Sequence, residues 1–152
     1  MTRSPAARAA ARTFAALSAA ESIPLSVHLP PGTDGAKIHP KVEGLEGEPV
    51  VLKHHVNSFR ETDLKAILDR HGVEEVVICG AMSHMCVDAG ARAASDLGYR
   101  CVVVHDACAT RDQEFEGAVV PAAQVHAAFM AALRFEYARL VTTDEHLAGK
   151  AK

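Results

Sequence analysis

Residues 75–97, EVVICGAMSHMCVDAGARAASDL, decide the fold of this chain. An apolar run ends at Gly80, a short polar turn follows, and a helical pattern begins close to Cys86. This order predicts a strand, a tight turn and a helix with Cys86 near its N-terminus. Backbone N–H groups and the dipole at that end favour a thiolate and an oxyanion. Cys86 is therefore a candidate nucleophile, although free cysteines are also often buried and inert.

Strand and helix patterns alternate along the rest of the chain. Because strands separated by helices form βαβ units, they predict a single α/β domain over residues 1–152, with a mostly parallel sheet between helices. Predicted strands cover residues 23–29, 49–53, 75–79, 100–105 and 139–142, and predicted loops cover 32–48 and 106–117. Predicted helices start at Thr62, just after Cys86, at Val120 and at Thr143, with Thr62 and Thr143 as N-caps.

The apolar spacing within two of these helices predicts which faces are buried. The helix after Cys86 is expected to turn Ala89, Ala93 and Leu97 inward. The helix that starts at Val120 is expected to bury one set of four residues: Val125, Ala128, Phe129 and Ala132.

The first 20 residues have two interpretations. They contain three arginines, much alanine and no acidic residue, a composition typical of an organellar transit peptide. An apolar stripe that includes Ala7, Ala11 and Phe14 favours instead an alanine-rich surface helix over residues 4–20.

Composition limits the classes of partner and compartment. The chain has 152 residues, 49% of them apolar and 23% charged, which is usual for a globular protein. Its net charge of −3 argues against nucleic acid or an anionic membrane as partner. No apolar run reaches the roughly 18 residues that a membrane span needs. The four cysteines contain no CxxC pair, so we expect free thiols and a cytoplasmic protein.

Several polar residues stand at the ends of predicted strands. Lys53 ends one strand, Gly80 another, and His105 and Asp106 a third. The carboxyl ends of parallel strands form the ligand-binding edge of such sheets, where Cys86 is also expected. A partly desolvated Lys53 near the thiol would stabilise a thiolate, whereas an edge lysine in solvent would not.

Two segments carry a resemblance to a known family. Residues 79–112, CGAMSHMCVDAGARAASDLGYRCVVVHDACATRD, contain a strand ending in glycine, a following serine and a Cys-Val pair that opens a helix. Residues 49–68, PVVLKHHVNSFRETDLKAIL, contain a strand-end lysine and an SF…T-L continuation. In this order and spacing the segments resemble the isochorismatase-like cysteine hydrolases. The resemblance implies a three-layer α/β/α, Rossmann-like fold.

The resemblance also implies roles for individual residues. Cys86 would be the nucleophile and Lys53 the catalytic lysine, and the backbone N–H groups of Met82 and Cys86 would form the oxyanion hole. The bond between Ala81 and Met82 would be a non-proline cis peptide. Because isochorismatases proper lack the cysteine, Cys86 implies an amidase-like member that cleaves a small amide-like C–N bond through a thioester.

The chain departs from the family pattern at its N-terminal end. Family members open with an apolar strand that carries an aspartate in a D-x-Q context, and this aspartate is the general base. Here the first aspartate is Asp34, in a predicted loop. We therefore expect a shortened chain that lacks the family's first strand. Loss of a general base would lower turnover by roughly 10²–10⁴-fold.

Other side chains are candidates for the substrate pocket. His84 lies two residues from Cys86, Phe59 is expected beneath Lys53, and Asp106 and Arg111 follow a strand. Solvent exposure accounts equally well for His84, and surface ion pairing for Asp106 and Arg111. The nicotinamidase branch of the family binds metal through an Asp-x-His motif that is absent here, so we expect no metal and no cofactor.

Two further classes of function remain open. A catalytically impaired pseudoenzyme or structural oligomer would account for the missing aspartate. A thiol redox protein would use Cys86, but Cys79 on its strand is not an obvious resolving cysteine. The resemblance implies a small-molecule substrate and a homodimer or homotetramer.

Overall fold

The computed structural model describes residues 16–18 and 47–150. It divides into two compact units, residues 1–72 and 73–152. Within the described residues no helix combines the length and apolar character needed to cross a bilayer. The predicted strand at residues 23–29, most of the predicted loop at 32–48, and Asp34 lie outside these residues.

The described part of the first unit, residues 16–18 and 47–72, contains a pair of parallel strands and one helix. Strand β1 (Ala16–Ser18) pairs with β2 (Val51–Lys53), in the register Ala16 to Val51 and Ser18 to Lys53. The predicted helix over residues 4–20 is therefore wrong at residues 16–18. Pairing with a neighbouring strand satisfies the backbone groups there and outweighs the helix propensity of alanine.

Helix α1 (Leu64–Arg70) buries Leu64 and Leu68. The apolar spacing predicts an inner face of Leu64, Ile67 and Leu68, and Ile67 is half-buried. The helix begins one residue later than expected, because Asp63 rather than Thr62 is the N-cap. The Thr62 hydroxyl still accepts a hydrogen bond from the Leu64 N–H, at 3.4 Å. After the helix, Gly72 has a φ of +61°, a conformation in which glycine is favoured.

The second unit is built on a three-stranded parallel sheet in the order β3-β4-β7. Its parallel pairing confirms the α/β interpretation. Beyond the sheet lie two short antiparallel strands, a π-helical turn and three helices. The strands are β3 (Glu75–Ala81), β4 (Arg100–Ala109), β5 (Gln113–Phe115), β6 (Ala118–Val120) and β7 (Arg139–Val141). The turn is Ser83–Val87, and the helices are α2 (Asp88–Asp96), α3 (Ala122–Glu136) and α4 (Thr143–Lys150).

The sheet carries apolar clusters on both faces. Val103 is fully buried with Val87 and Ala91 from the turn and α2, and with Met130 and Leu133 from α3. Alternate residues of a strand point to opposite faces. Val102 and Val104, on either side of Val103 in β4, accordingly form a second cluster with Val141 of β7. The central strand β4 is therefore buried on both sides, as its apolar sequence predicts.

The buried faces of α2 and α3 differ from the prediction. In α2 the buried residues are Gly90, Ala91 and Ala94, whereas Leu97 is 42% exposed. Val87 in the preceding turn packs with Ala91 and Val103 and thereby sets the rotation of α2 against the sheet. In α3 the buried set is Val125, Met130 and Leu133, so the prediction was correct for Val125 and wrong for Ala128 and Ala132, which are exposed. The larger Met130 and Leu133 fill the interface in their place.

Two connections also differ from the prediction. Much of the segment predicted as a loop, residues 106–117, is β-strand. Strand β4 continues to Ala109, and β5 forms a hairpin with β6. Thr142 rather than Thr143 caps α4. The Thr142 N–H donates to Glu145 Oε2 at 2.8 Å, and the Glu145 N–H donates to Thr142 Oγ1 at 3.1 Å. This reciprocal pair is a capping box.

Candidate active site

The turn after β3 presents Cys86 beside the end of the sheet. Pairing with β4 passes from Ile78–Val103 to Gly80–Cys108, and Gly80 has a φ of +126°, in the region that favours glycine. The peptide bond between Ala81 and Met82 is cis, which confirms the expectation from the resemblance.

The chain then forms the π-helical turn that contains Cys86. The Met82 carbonyl accepts hydrogen bonds from Met85 N at 3.0 Å and from Val87 N at 3.3 Å. Cys86 is half-buried and has a free thiol. Cys86 therefore lies two residues before α2, which begins at Asp88, and not within its first turn.

Ser83 fixes this turn to the rest of the unit. It is completely buried, and its hydroxyl lies 3.3 Å from the Ala109 carbonyl oxygen and 2.8 Å from His126 Nδ1. The first contact reaches the end of β4, and the second reaches α3. The turn that carries Cys86 is thus held by groups 26 and 43 residues away in sequence.

His84 is half-buried in the same turn. Its Nδ1 lies 2.6 Å from Thr110 Oγ1, and its ring meets Phe129 edge-on with 5.9 Å between centroids. Burial, together with the nearby Arg111 guanidinium, lowers the pKa of His84. An imidazole with a lowered pKa is neutral at pH 7, so His84 adds a polar but uncharged group close to Cys86.

Lys53 belongs to the first unit and is 3% exposed. Its Nζ donates hydrogen bonds to the carbonyl oxygens of His55 at 3.2 Å and Val56 at 3.1 Å. The prediction of a desolvated Lys53 is therefore confirmed, and the alternative prediction of an edge lysine in solvent is wrong. Phe59, in the same unit, is half-buried, and its N–H donates to Asn57 Oδ1 at 2.9 Å.

Asp106 connects β4 to the start of α4. Its Oδ1 accepts hydrogen bonds from the Thr143 N–H at 2.8 Å and the Thr143 hydroxyl at 2.9 Å. Desolvation raises the pKa of Asp106, but these hydrogen bonds outweigh it, so the pKa lies below its ordinary value. This carboxylate is already engaged within the protein.

The remaining cysteines lie in different surroundings. Burial raises the pKa of Cys101 to about 11 and that of Cys108 to about 11, so both are almost wholly protonated at neutral pH. Cys79 is exposed on β3. Among the described residues no group of three histidine, cysteine or acidic side chains is arranged to hold a metal ion.

The sequence predicted part of this arrangement and missed part of it. His84 and Cys86 lie in one turn, and Met82 directly precedes it. The sequence indicates Ser83 only as part of the family motif and gives no clear signal for Thr110 or His126. A histidine within an apolar helix is a weak signal, because nothing in the sequence shows that it faces a buried serine.

The fold and the site together define a class: α/β proteins that carry a cysteine on the turn after a cis peptide bond. Comparison with known proteins identifies the family. The model of the isochorismatase domain family matches residues 7–145. The chain therefore belongs to the isochorismatase domain family.

Individual relatives agree with this assignment. The chain is 52% identical over 117 residues to the uncharacterized isochorismatase family protein YddQ of Bacillus subtilis, covering 77% of this chain and 65% of YddQ. It is 48% identical over 82 residues to a streptothricin hydrolase of Streptomyces noursei, covering 54% of this chain and 30% of that protein. The chain thus spans less than two thirds of the length of either relative.

A solved structure shows the same fold. This structure is that of an isochorismatase hydrolase from Oleispira antarctica. It superimposes on this chain with a TM-score of 0.81, and the two sequences are 57% identical. The match covers 88% of this chain and 70% of that one.

Proposed function

We propose that this chain is a cysteine hydrolase that cleaves a small amide-like C–N bond through a thioester on Cys86. The observation that supports this most is the position of Cys86, on the turn that follows β3 and the cis bond, in a chain that belongs to the isochorismatase domain family. A half-buried thiol next to a turn of backbone amides fits a nucleophile better than a structural cysteine does.

In the proposed reaction the Cys86 thiolate attacks the carbonyl carbon of the substrate. A C–S bond forms, and the carbonyl oxygen becomes an oxyanion that the N–H groups of Met82 and Cys86 would stabilise. The C–N bond then breaks, and the amine leaves with the proton that the thiol gave up. Water hydrolyses the thioester, releases the carboxylic acid and restores the thiol.

Lys53 is proposed as the cation that favours the thiolate. Its burial and its two carbonyl hydrogen bonds fix the ammonium, so its position does not have to be organised during the reaction. His84 is the proposed polar group of the substrate pocket. Phe59 and Asp106 are the further pocket residues that the sequence suggests, although Asp106 already accepts hydrogen bonds from Thr143.

The test is amine release from a panel of small primary and secondary amides. We expect the Cys86→Ala variant to lose all activity and the Cys79→Ser variant, which changes an exposed thiol, to keep it. Mass spectrometry of rapidly quenched samples should show an acyl group on Cys86. Activity that survives Cys86→Ala would overturn the proposal, and labelling of Cys86 without any amine release would favour the catalytically impaired alternative.

A further inference from the structure

Ser83 is the most completely enclosed polar side chain of the turn that holds Cys86. It directly follows Met82 and precedes Cys86 by three residues, so it lies between the two proposed oxyanion donors. None of its surface is exposed to solvent. A buried hydroxyl needs its hydrogen bonds, because a buried hydroxyl without a partner has lost its bonds to water and gained none in return.

The two contacts of Ser83 determine how the hydrogens are arranged. A carbonyl oxygen only accepts, so the contact with Ala109 uses the single hydroxyl proton of Ser83. The 2.8 Å contact with His126 then requires Nδ1 to donate its N–H to Ser83 Oγ. Both hydrogen bonds form together when His126 carries a proton on Nδ1. These two hydrogen bonds link His126 on α3, through Ser83, to Ala109 at the end of β4.

We propose that His126 is a positioning residue that acts through Ser83 to hold the oxyanion-binding turn in place. The inference rests on the proposed function, because it assigns to His126 the orientation of the Met82 and Cys86 N–H groups. Such donors must lie about 2.7–3.1 Å from the developing oxyanion, so a small shift of the turn weakens them. His126 has no direct contact with substrate in this role.

The proposal separates two reactions of the same thiol. Acylation of Cys86 by p-nitrophenyl acetate passes through an oxyanion, whereas alkylation by iodoacetamide does not. Loss of the His126–Ser83 hydrogen bond should therefore slow acylation and leave alkylation unchanged. A residue with a merely structural role would alter both rates together, since a loosened turn changes the exposure of Cys86 to either reagent.

The experiment uses the full chain with Cys79→Ser, so that Cys86 is the reactive thiol in both assays. We expect Ser83→Ala and His126→Leu each to lower the acylation rate by roughly 10- to 100-fold, somewhat less than removal of an oxyanion donor. The alkylation rate should stay within about twofold, since no oxyanion forms. His126→Asn, whose amide nitrogen can take the place of Nδ1, should restore most of the acylation rate. His126→Gln, whose amide matches Nε2 instead, should not.

Thermal unfolding of each variant identifies any that fail to fold, and the pair His126→Asn and His126→Gln then carries the comparison. Equal acylation rates in wild type, His126→Asn and His126→Gln would overturn the inference while leaving the proposed function intact. Parallel loss of acylation and alkylation would also overturn it. If wild type itself is not acylated, both the proposed function and this inference fail.

Discussion

At the scale of single residues, the environment of His84 shows how the site turn differs from an exposed loop. Its ring is packed against Phe129 and hydrogen-bonded to Thr110, and Arg111 adds a positive charge nearby. Burial, first, and the Arg111 charge favour the neutral imidazole. The folded protein therefore takes up a proton at His84 less readily than the unfolded chain does.

This difference predicts how stability depends on pH. Because the pKa of His84 is lowered on folding, the unfolded state binds the proton first as pH falls below about 6.5, and stability decreases. The loss continues until the pH reaches the lowered folded pKa. We expect the free energy of unfolding, measured by urea denaturation, to fall less between pH 7.5 and pH 5.5 in His84→Asn than in wild type. The same fall in both proteins would contradict the lowered pKa.

At the scale of elements, α3 connects the core to the site. Leu133 on its inner face is fully buried against Val103 and Ala91, while His126 on the same helix contacts Ser83. The rigidity of the site turn therefore depends on how well α3 packs on the sheet. Side chains in such a core lose both burial energy and contacts when shortened.

We expect Leu133→Ala to lower the free energy of unfolding by about 2–5 kcal/mol, because it leaves a cavity in the core. The matched control is Leu147→Ala on α4, where the leucine is 57% exposed and the loss should stay below about 1 kcal/mol. Urea denaturation of the two variants compares the same chemical change in two environments. Equal losses would show that the core does not lie where the structure places it.

At the scale of the whole molecule, several large apolar side chains remain exposed in the described residues. Phe135 is 87% exposed and Phe115 is 71% exposed. Contiguous exposed apolar surface marks a protein–protein contact, whereas single exposed apolar side chains are common on monomers. Phe135 and Phe115 are compatible with the homodimer or homotetramer that the family resemblance implies.

Light scattering after size exclusion tests this prediction. The expected mass is two or four times the 16.1 kDa of the chain, and it should hold on dilution to low micromolar concentration. A mass of 16.1 kDa at every concentration would show that the chain is a monomer.

The sequence by itself determined the features that depend on local patterns. The apolar run before Gly80 and the helical spacing after Cys86 were enough to predict β3, the turn and α2. The pattern of strands and helices predicted the α/β class. The family motif added the cis bond before Met82, which spacing alone does not imply.

The tertiary structure alone decided the features that depend on contacts between distant residues. Residues 16–18 form a strand because they pair with β2, and the buried faces of α2 and α3 follow from how Val87 and Leu133 meet the sheet. The sequence left open whether Lys53 is desolvated or exposed at a strand edge, and its burial in the folded chain decides between the two. The hydrogen bond between Ser83 and His126 joins residues 43 positions apart, and no local pattern records which distant side chain a buried hydroxyl will meet.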